Sequence, residues 1–493
     1  MRSIAERPAL LVGLGAVLAV VAFQLWVTPS NPPGYHRDEA ALSLNAYTLS
    51  TSLRDEDGAR FPLFFRSFDD YKSPVYPYLL AAAFKLTGPG QQVARGLSAV
   101  LVLAAVLLLG VLARRLTRSW LVAVTVVVLA GFTPWLFELG RMAIEATTQP
   151  VLVVLLLLWL ERVARLQRYG IVQGIVAGAL VGLITYSYTG SRLLGPLFAS
   201  AVVVFAGRGR WRFVLSAWAS FAVTLVPMGV YATRHPGNLT ARYEATTIAR
   251  NGLSGPRVVL QAIGNWFRDI NPWHWSTGGD PAPYIHNGGY GALFGGVLLL
   301  AIAGAVLVLA RQRGDLWWRY VVLATLLVPI PAALTVDRYD AIRLSTLPIF
   351  VLVLTIPALS ALLDAVKISW PARIAVALLA VSVLAQYAQF LDIYRTRGPA
   401  RLVLFDAGVK PLLEEPLASG EPIYVDFDDR GAQAQVRWRA AAAGIPQDRV
   451  VILPDGGVPP PGSLVFLRFQ DCDFECEEVA SWEEYRLMRA VGP

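Results

Sequence analysis

Long apolar runs alternate with short polar loops over most of the chain. The first run, residues 9–27, is 19 residues long, and a helix needs about 20 apolar residues to cross a bilayer core. It exceeds the apolar core of a signal peptide and no small-residue cleavage site follows, so we interpret it as a retained first helix. The pattern predicts a polytopic α-helical membrane protein with eleven spans, at residues 9–27, 94–113, 119–137, 146–160, 171–186, 193–206, 211–232, 290–310, 317–335, 344–365 and 371–391.

Basic residues cluster in the loops that eleven spans would place on one side. The clusters are Arg2 and Arg7; Arg114, Arg115 and Arg118; Arg162, Arg165 and Arg168; Arg208, Arg210 and Arg212; Arg311, Arg313 and Arg319; Lys367 and Arg373. Because positive loops stay in the cytoplasm, the N-terminus is predicted to be cytoplasmic. The other side then carries two long loops, 28–93 and 233–289, and the tail from residue 395.

Composition supports a membrane protein. Of 493 residues 55% are hydrophobic and 16% charged, whereas soluble domains average about 25% charged. The net charge of +8 does not indicate nucleic-acid binding, because the arginines lie in short loops between apolar runs. The preference for Arg over Lys suggests a GC-rich prokaryotic genome, so we expect a multi-pass protein of the prokaryotic plasma membrane.

The tail has a different pattern from the rest of the chain. Residues 421–427, 449–453 and 463–469 are typical of short buried strands, and an Ala-rich helical stretch at 432–443 separates the first two. We therefore predict a membrane domain at 1–394 and a small extracytoplasmic α/β domain at 395–493. Cys472 and Cys476 are the only cysteines. A disulfide, free thiols and a weak metal site all stay open for them.

Candidate chemistry in the first outer loop begins with Asp38 and Glu39. Adjacent carboxylates near lipid are costly and mark function, although acids in the first turn of a helix also complement its dipole. An amphipathic helix lying along the membrane surface is predicted at 40–53. Lys72 beside Tyr71 could compensate a phosphate or could snorkel to a headgroup. The acidic run 55–57 is interpreted as a solvated turn that ends at an Asp-Gly pair.

Further candidates are predicted at the other outer openings. A helix bearing Arg141 and Glu145 at i, i+4 could bring both to one face, where a local ion pair is the alternative. Later loops add Tyr188 with Arg192, then His286, then Arg343. The four histidines show no metal-ligand spacing, and hydrolase, Walker and dinucleotide motifs are missing. No internal repeat is visible, which disfavours the alternative that the chain is a lipid or sugar transporter or flippase.

Taken together, these motifs resemble the GT-C glycosyltransferases, and within them family 39, the protein O-mannosyltransferase and lipid A aminoarabinose transferase group. The resemblance spans roughly residues 9–350. It rests on the Asp-Glu pair after the first span, D-x-D-G with F-P-L-F, K-S-P-x-Y-P-Y, A-R-x-L-S-A at 94–99, G-R-M-A-I-E at 140–145 and Y-T-G-S-R-L at 188–193. It implies a GT-C fold with about eleven transmembrane helices and juxtamembrane helices in the first outer loop.

The resemblance also implies a chemistry. The donor would be a polyprenyl-phosphate sugar, and Asp38 would be the base of an inverting transfer to an acceptor hydroxyl. Glu145 would match the acid that the family carries after its third span. Lys72 would contact the donor phosphate. Ser73 replaces a proline typical of the aminoarabinose transferases, so the acceptor stays open between protein, polysaccharide and glycolipid.

The remaining candidates follow from charge and placement. Arg141, Arg192 and Arg343 are further cations available to a phosphate, and Tyr71, Tyr188 and His286 are candidate substrate contacts. The sequence requires no cofactor or metal, and a divalent cation remains compatible with it.

Overall fold

The computed structural model describes residues 6–26, 28–68, 70–252, 254–425, 428–469 and 471–491. The chain splits into two compact units that are interleaved along the sequence. The first unit comprises Met1–Trp26, Ser98–Arg141 and Glu145–Tyr394; the second comprises Val27–Leu97, Met142–Ile144 and Arg395–Pro493. The domain boundary at residue 394 stays a prediction.

Helices dominate the first unit. These helices are α1 (Glu6–Gln24), α4 (Gln91–Thr117), α5 (Trp120–Gly131), α6 (Pro134–Leu139), α7 (Thr148–Leu166), α8 (Ile171–Thr185), α9 (Ser191–Ala201), α10 (Trp211–Arg234), α11 (Ala241–Thr246), α12 (Gly255–Asp269), α13 (Pro272–Thr277), α14 (Gly295–Arg311), α15 (Leu316–Leu327), α16 (Ile330–Ala333), α17 (Leu347–Ala365) and α18 (Trp370–Arg397). Of these, α4 begins in the second unit and α18 ends in it.

Each predicted span coincides with one helix or with consecutive helical segments. Within the described part of the chain, five helical stretches have the length and composition to cross a membrane: Gln91–Thr117, Trp211–Arg234, Leu316–Ala333, Leu347–Ala365 and Trp370–Ala400. Five shorter helices are apolar as well: Leu11–Gln24, Trp120–Gly131, Ile171–Thr185, Ser191–Phe205 and Gly295–Arg311. A multi-pass helical membrane protein is confirmed, and the count of eleven spans stays a prediction.

Small residues let neighbouring helices approach closely. Gly174, Gly178 and Gly182 recur every four residues on α8, and a Cβ on any of them would lie within 2.3 Å of an atom of α10. Van der Waals packing of this kind drives helix association where lipid removes the hydrophobic difference. The α8–α10 pair is therefore fixed by the sequence of α8.

The second unit contains α2 (Arg37–Ser52), α3 (Val75–Thr87), α19 (Val409–Ser419) and α20 (Arg430–Ala442), with strands β1 (Phe65–Ser67), β2 (Asp70–Lys72), β3 (Ile423–Val425), β4 (Val450–Ile452), β5 (Leu464–Arg468), β6 (Cys476–Trp482) and β7 (Tyr485–Ala490). β1 and β2 form an antiparallel hairpin. The other five strands form one sheet in the order β4-β3-β5-β7-β6.

The predicted α/β character of the tail is confirmed. The three predicted strands correspond to β3, β4 and β5, which are parallel to one another, and the Ala-rich stretch is α20. The antiparallel β6–β7 hairpin was not predicted, because most side chains of β6 are exposed on both faces and give no alternating pattern. A disulfide joins Cys472 to Cys476, the first residue of β6.

Helix α2 begins at Arg37, close to the predicted start, but its first half is not amphipathic. All side chains from Glu39 to Ala46 are buried, because α2 packs against α3 on one side and α20 on another. The chain enters α2 through Gly34, whose φ is +62°. The next amide, Tyr35 N, donates a hydrogen bond of 2.6 Å to the Phe405 carbonyl.

We predict that Gly34→Ala destabilises the protein more than Gly58→Ala does. Both glycines have positive φ, a conformation that costs a residue with a Cβ about 1–2 kcal/mol. At Gly34 the added Cβ would also lie 2.2 Å from the Phe405 oxygen, whereas nothing lies within 4 Å at Gly58. Apparent unfolding temperatures in detergent measure the difference. Equal losses in the two variants would contradict the close contact.

Candidate active site

The predicted site residues are divided between the two units. Asp38, Glu39, Tyr71 and Lys72 belong to the second unit. The first unit holds the remaining six: Arg141, Glu145, Tyr188, Arg192, His286 and Arg343.

Asp38 lies in the first turn of α2, and its position is set by a capping box. The imidazole of His36 accepts a hydrogen bond from Asp38 N at 3.2 Å, and the Glu39 carboxylate accepts one from His36 N at 3.0 Å. These bonds satisfy amide donors that the start of a helix leaves unpaired. The side chain of Asp38 is 37% exposed, so this carboxylate, unlike that of Glu39, stays accessible.

The β1–β2 hairpin presents Lys72 next to Asp38. The Lys72 ammonium lies 3.2 Å from Asp70 Oδ2 and 3.9 Å from Asp38 Oδ1. Asp70 also accepts a hydrogen bond of 2.7 Å from the backbone amide of Tyr71. The ammonium of Lys72 thus faces two carboxylates at once. Lys72 and Asp38 therefore lie close together, with Asp70 as a neighbour that the sequence analysis missed.

Glu39 is fully buried and holds four donors. Arg95 pairs with it bidentately, through Nε at 2.9 Å and Nη2 at 2.7 Å. The backbone amide of Ala143 donates to Oε1 at 2.9 Å, in addition to the bond from His36 N. A carboxylate so engaged is suited to positioning Asp38 rather than to exchanging protons. Arg95 is fully buried near the start of α4, where an arginine needs an acidic partner, and the sequence analysis did not find that partner.

Arg141 does not lie on one helix face with Glu145. α6 ends at Leu139 and α7 begins at Thr148, so the i, i+4 argument fails because the intervening segment is not α-helical. The Arg141 guanidinium is buried and donates to the backbone carbonyls of Gln24, Trp26 and Phe137. These bonds indicate that it fixes the end of α1 against α6.

Glu145, Tyr188 and Arg192 surround the loop between α8 and α9. Glu145 Oε1 accepts hydrogen bonds from the backbone amide and hydroxyl of Thr189, at 3.2 and 3.1 Å. Arg192 Nη1 donates to the Leu239 carbonyl at 2.8 Å. Burial, with the charge of Asp340 next, raises the pKa of Tyr188, so the phenol stays protonated. The structure thus gathers these three predicted residues around one loop of the first unit.

Arg343 is a neutralised cation. Its Nη1 lies 2.6 Å from Asp337 Oδ2 and 3.2 Å from Asp340 Oδ2, and it donates to the hydroxyl of Thr335 at 2.8 Å. Two carboxylates offset its charge, so it offers less attraction to a phosphate than its placement suggested.

His286 is committed to a buried cluster that the sequence analysis did not find. Its Nδ1 faces Glu138 Oε2 at 3.1 Å, and its Nε2 faces the Tyr290 carbonyl at 3.0 Å. The Tyr290 hydroxyl donates to Glu138 Oε1 at 2.5 Å. Because a carbonyl can only accept, Nε2 carries the proton in its contact with Tyr290. With both ring nitrogens engaged, His286 is unsuited to binding a substrate.

The acidic run 55–57 is not a fully solvated turn. Asp55 is buried, and Arg430 Nη1 of α20 lies 3.4 Å from Asp57 Oδ1. Burial raises the pKa of Glu56 to about 7, against the opposing charge of Arg437. The run therefore packs against α20. Among the described residues no group of three or more His, Cys, Asp or Glu side chains is placed to hold a metal ion.

Residues 71–231 match the family model described as dolichyl-phosphate-mannose-protein mannosyltransferase. The structure of ArnT from Cupriavidus metallidurans bound to undecaprenyl phosphate superposes with a TM-score of 0.61 at 12% identity, covering 99% of each chain. Its apo form gives a TM-score of 0.59 at 12% identity, covering 99% of this chain and 100% of that one.

The chain therefore has the GT-C fold that the resemblance drawn from its motifs implied. Identities this low establish the fold alone. Archaeal oligosaccharyltransferase AglB from Archaeoglobus fulgidus also matches, with a TM-score of 0.48, 14% identity and coverage of 87% of this chain and 63% of that one. This weaker likeness carries no argument. No curated protein sequence matches the chain.

The segment that matches the family model begins at Tyr71 and so includes Lys72, Arg141, Glu145 and Arg192. Asp38 and Glu39 lie outside it. The roles of individual site residues stay predictions.

Arg95→Met alone should destabilise the protein more than the double variant in which Glu39→Gln is added to it. Arg95→Met leaves Glu39 buried without its counter-charge, and breaking a buried pair from one side costs about 3–5 kcal/mol. Glu39→Gln with Arg95→Met removes both charges, and we expect it to recover part of the loss. Apparent unfolding temperatures of the two single variants and the double variant form the measurement. A double variant less stable than Arg95→Met would rule out charge compensation as the reason.

The pKa of Glu56 predicts a pH dependence. The folded protein binds this proton more tightly than the unfolded chain, since the pKa rises from 4.5 to about 7. Ionisation between these values opposes folding, so the stability contributed by the protonated group is lost as the pH rises through that window. We expect Glu56→Gln to flatten the fall in unfolding temperature between pH 5 and 8, whereas Glu421→Gln serves as a control that leaves the slope unchanged. Parallel slopes for Glu56→Gln and the unmodified protein would contradict the assignment.

Proposed function

We propose that this GT-C protein transfers a sugar from a polyprenyl-phosphate donor to an acceptor hydroxyl at the outer face of the membrane, with inversion and with Asp38 as general base. The observation that carries the proposal is the accessible Asp38 carboxylate in the first turn of α2. Lys72 lies 3.9 Å away, and the neighbouring Glu39 is locked by Arg95.

The two adjacent acids have different roles in the proposed reaction. Glu39 uses both oxygens on four donors, so proton transfer through it would break the contacts that shape the turn. Asp38 Oδ2 lies 3.5 Å from His36 Nδ1, and Oδ1 lies 3.9 Å from the Lys72 ammonium. An ionised carboxylate at the exposed start of a helix can accept the proton of an incoming hydroxyl, and such positioned transfer contributes about 10²–10⁴-fold.

The reaction balances with these groups. The acceptor oxygen attacks the anomeric carbon of the donor sugar and forms the glycosidic bond, while its proton passes to Asp38. The bond between that carbon and the phosphate oxygen breaks, and polyprenyl phosphate leaves with the electron pair. A fixed cation near the leaving oxygen stabilises the charge that develops there.

Lys72 is the cation that we place at the donor phosphate. Arg141 donates to three carbonyls and Arg343 is neutralised by two aspartates, so neither offers comparable attraction. Lys72 shares its charge with Asp70 and Asp38, and loss of the Asp38 charge on protonation would leave its ammonium freer to bind phosphate.

The donor class is supported by the comparisons and by the arrangement of spans. The ArnT structure contains undecaprenyl phosphate, and the matched family model is named for a dolichyl-phosphate sugar. The basic loops argue for a cytoplasmic N-terminus, which would put the loop of Asp38 and the tail domain outside the prokaryotic plasma membrane. Protein, polysaccharide and glycolipid hydroxyls all fit as acceptors, and a divalent cation remains part of the proposal to be tested.

Asp38→Asn should abolish transfer without unfolding the protein. The amide keeps the shape of the side chain but cannot take a proton, so we expect a loss of about 10²-fold or more. The measurement is transfer of radiolabelled sugar from a panel of polyprenyl-phosphate sugars by purified protein, with and without a chelator. Asp57→Asn, an exposed acid of the same loop, is the matched control and should retain activity.

Three outcomes would overturn parts of the proposal. Full activity in Asp38→Asn would remove Asp38 as the base. No turnover of any donor, including slow hydrolysis, would argue for another donor class. Movement of the lipid-linked sugar across the membrane without a new glycosidic product would favour the transporter alternative. Loss of activity on adding a chelator would show that a divalent cation takes part.

A further inference from the structure

Helix α12, in the long loop 233–289, leaves an apolar face uncovered. Val259, Leu260, Ile263 and Phe267 are each between 50% and 70% exposed. Successive residues of an α-helix are rotated by about 100°, because about 3.6 residues complete a turn. The four side chains therefore share one face, roughly a third of the helix circumference.

The opposite face of α12 is bound by polar contacts to another segment of the first unit, residues 333–337. Asn265 Nδ2 donates to the Ala333 carbonyl at 2.9 Å, and Arg268 Nη2 donates to the Asp337 carbonyl at 3.3 Å. Asp269 is buried beside Arg268, 3.1 Å from its Nε. The exposed face is thus held outward by bonds on the other side of the same helix, and its exposure is not a result of loose packing.

The edge of the apolar face is basic. Arg257 and Gln261 are exposed on the side between the apolar face and the buried face. The only acid of α12, Asp269, is buried. A helix with aromatic and aliphatic residues on one face and arginine at the border is typical of segments that lie in the lipid–water interface, where cations meet anionic headgroups.

The chain on either side of α12 is consistent with that location. The loop begins after α10, which ends at Arg234, and leads to α14, which begins at Gly295. α10 is long and apolar enough to cross a membrane, and α14 is one of the shorter apolar helices. Trp273, four residues after α12, is 74% exposed, and tryptophan side chains concentrate at membrane interfaces. The exposed apolar surface therefore continues beyond the helix along a loop tethered to the membrane at both ends.

We propose that α12 docks on the lipid surface of the outer leaflet, with Val259, Leu260, Ile263 and Phe267 in the acyl region and Arg257 among the headgroups. The assignment to the outer leaflet depends on the proposed topology, and the docking itself does not depend on the proposed reaction.

Docking has a structural consequence for the first unit. The bonds from Asn265 and Arg268 connect α12 to the segment that carries Asp337, which pairs with Arg343. Lipid contact on one face of α12 therefore holds in place the loop on its other face.

The test uses single cysteines, because the two native cysteines form a disulfide and leave no free thiol. Leu260→Cys and Phe267→Cys report on the apolar face, and Gln261→Cys is the matched control on the polar edge. Each variant of the full chain is labelled with an environment-sensitive maleimide dye. It is then placed in vesicles of phosphatidylethanolamine and phosphatidylglycerol that contain a doxyl-labelled phospholipid.

Lipid docking predicts opposite quenching patterns. Labels at Leu260 and Phe267 should be quenched strongly by the doxyl lipid and weakly by aqueous iodide, and the label at Gln261 should show stronger iodide quenching than both. Iodide quenching at Leu260 and Phe267 equal to that at Gln261 would overturn the proposal. Shielding from both quenchers would also overturn it, and would instead indicate a protein covering the face, such as a second copy of this chain. Because no step measures sugar transfer, failure here is distinguishable from failure of the proposed reaction.

Discussion

The buried ion pair between Glu39 and Arg95 is the contact on which the candidate active site depends. It removes two charges from water, which is favourable only when their remaining hydrogen-bonding capacity is satisfied. Here Glu39 gains donors from His36 and Ala143 besides Arg95, and Arg95 Nη1 donates to the Pro32 carbonyl at 2.8 Å. One pair thus joins the entry to α2, the start of α4 and a short segment after residue 141. Asp38 takes its position from this arrangement.

The adjacent acids show how environment separates two chemically similar groups. Glu39 points into the protein and is saturated with donors, whereas Asp38, one residue earlier, remains accessible beside Lys72. The first turn of α2 supplies both orientations, since successive residues of a helix project about 100° apart. An Asp-Glu pair at a helix start can therefore place a reactive carboxylate and its structural support in two consecutive positions.

The sequence was informative where the signal is local. Apolar length located the helices, and strand-like runs located β3, β4 and β5, because each pattern is contained within its own segment. Long-range pairing was not accessible: Arg95 and Glu39 are 56 residues apart, and His286 and Glu138 are 148 apart. The β6–β7 hairpin was missed for a different reason, since its edge strand is charged and largely exposed. Sequence pattern reports burial, and partners must be found in three dimensions.

Three arginines show what is missed when the partners of a side chain cannot be predicted from the sequence. Arg141, Arg192 and Arg343 were grouped as phosphate-binding cations because all were predicted at the outer face. Their contacts differ: Arg141 caps carbonyls at the end of α1, Arg343 is paired with two aspartates, and Arg192 holds the Leu239 carbonyl. Guanidinium has five donors in a fixed plane, so it readily becomes a structural crosslink. Lysine has a single charged point on a flexible stem. That difference favours Lys72, one of few lysines in the chain, as the cation that can respond when charge develops nearby.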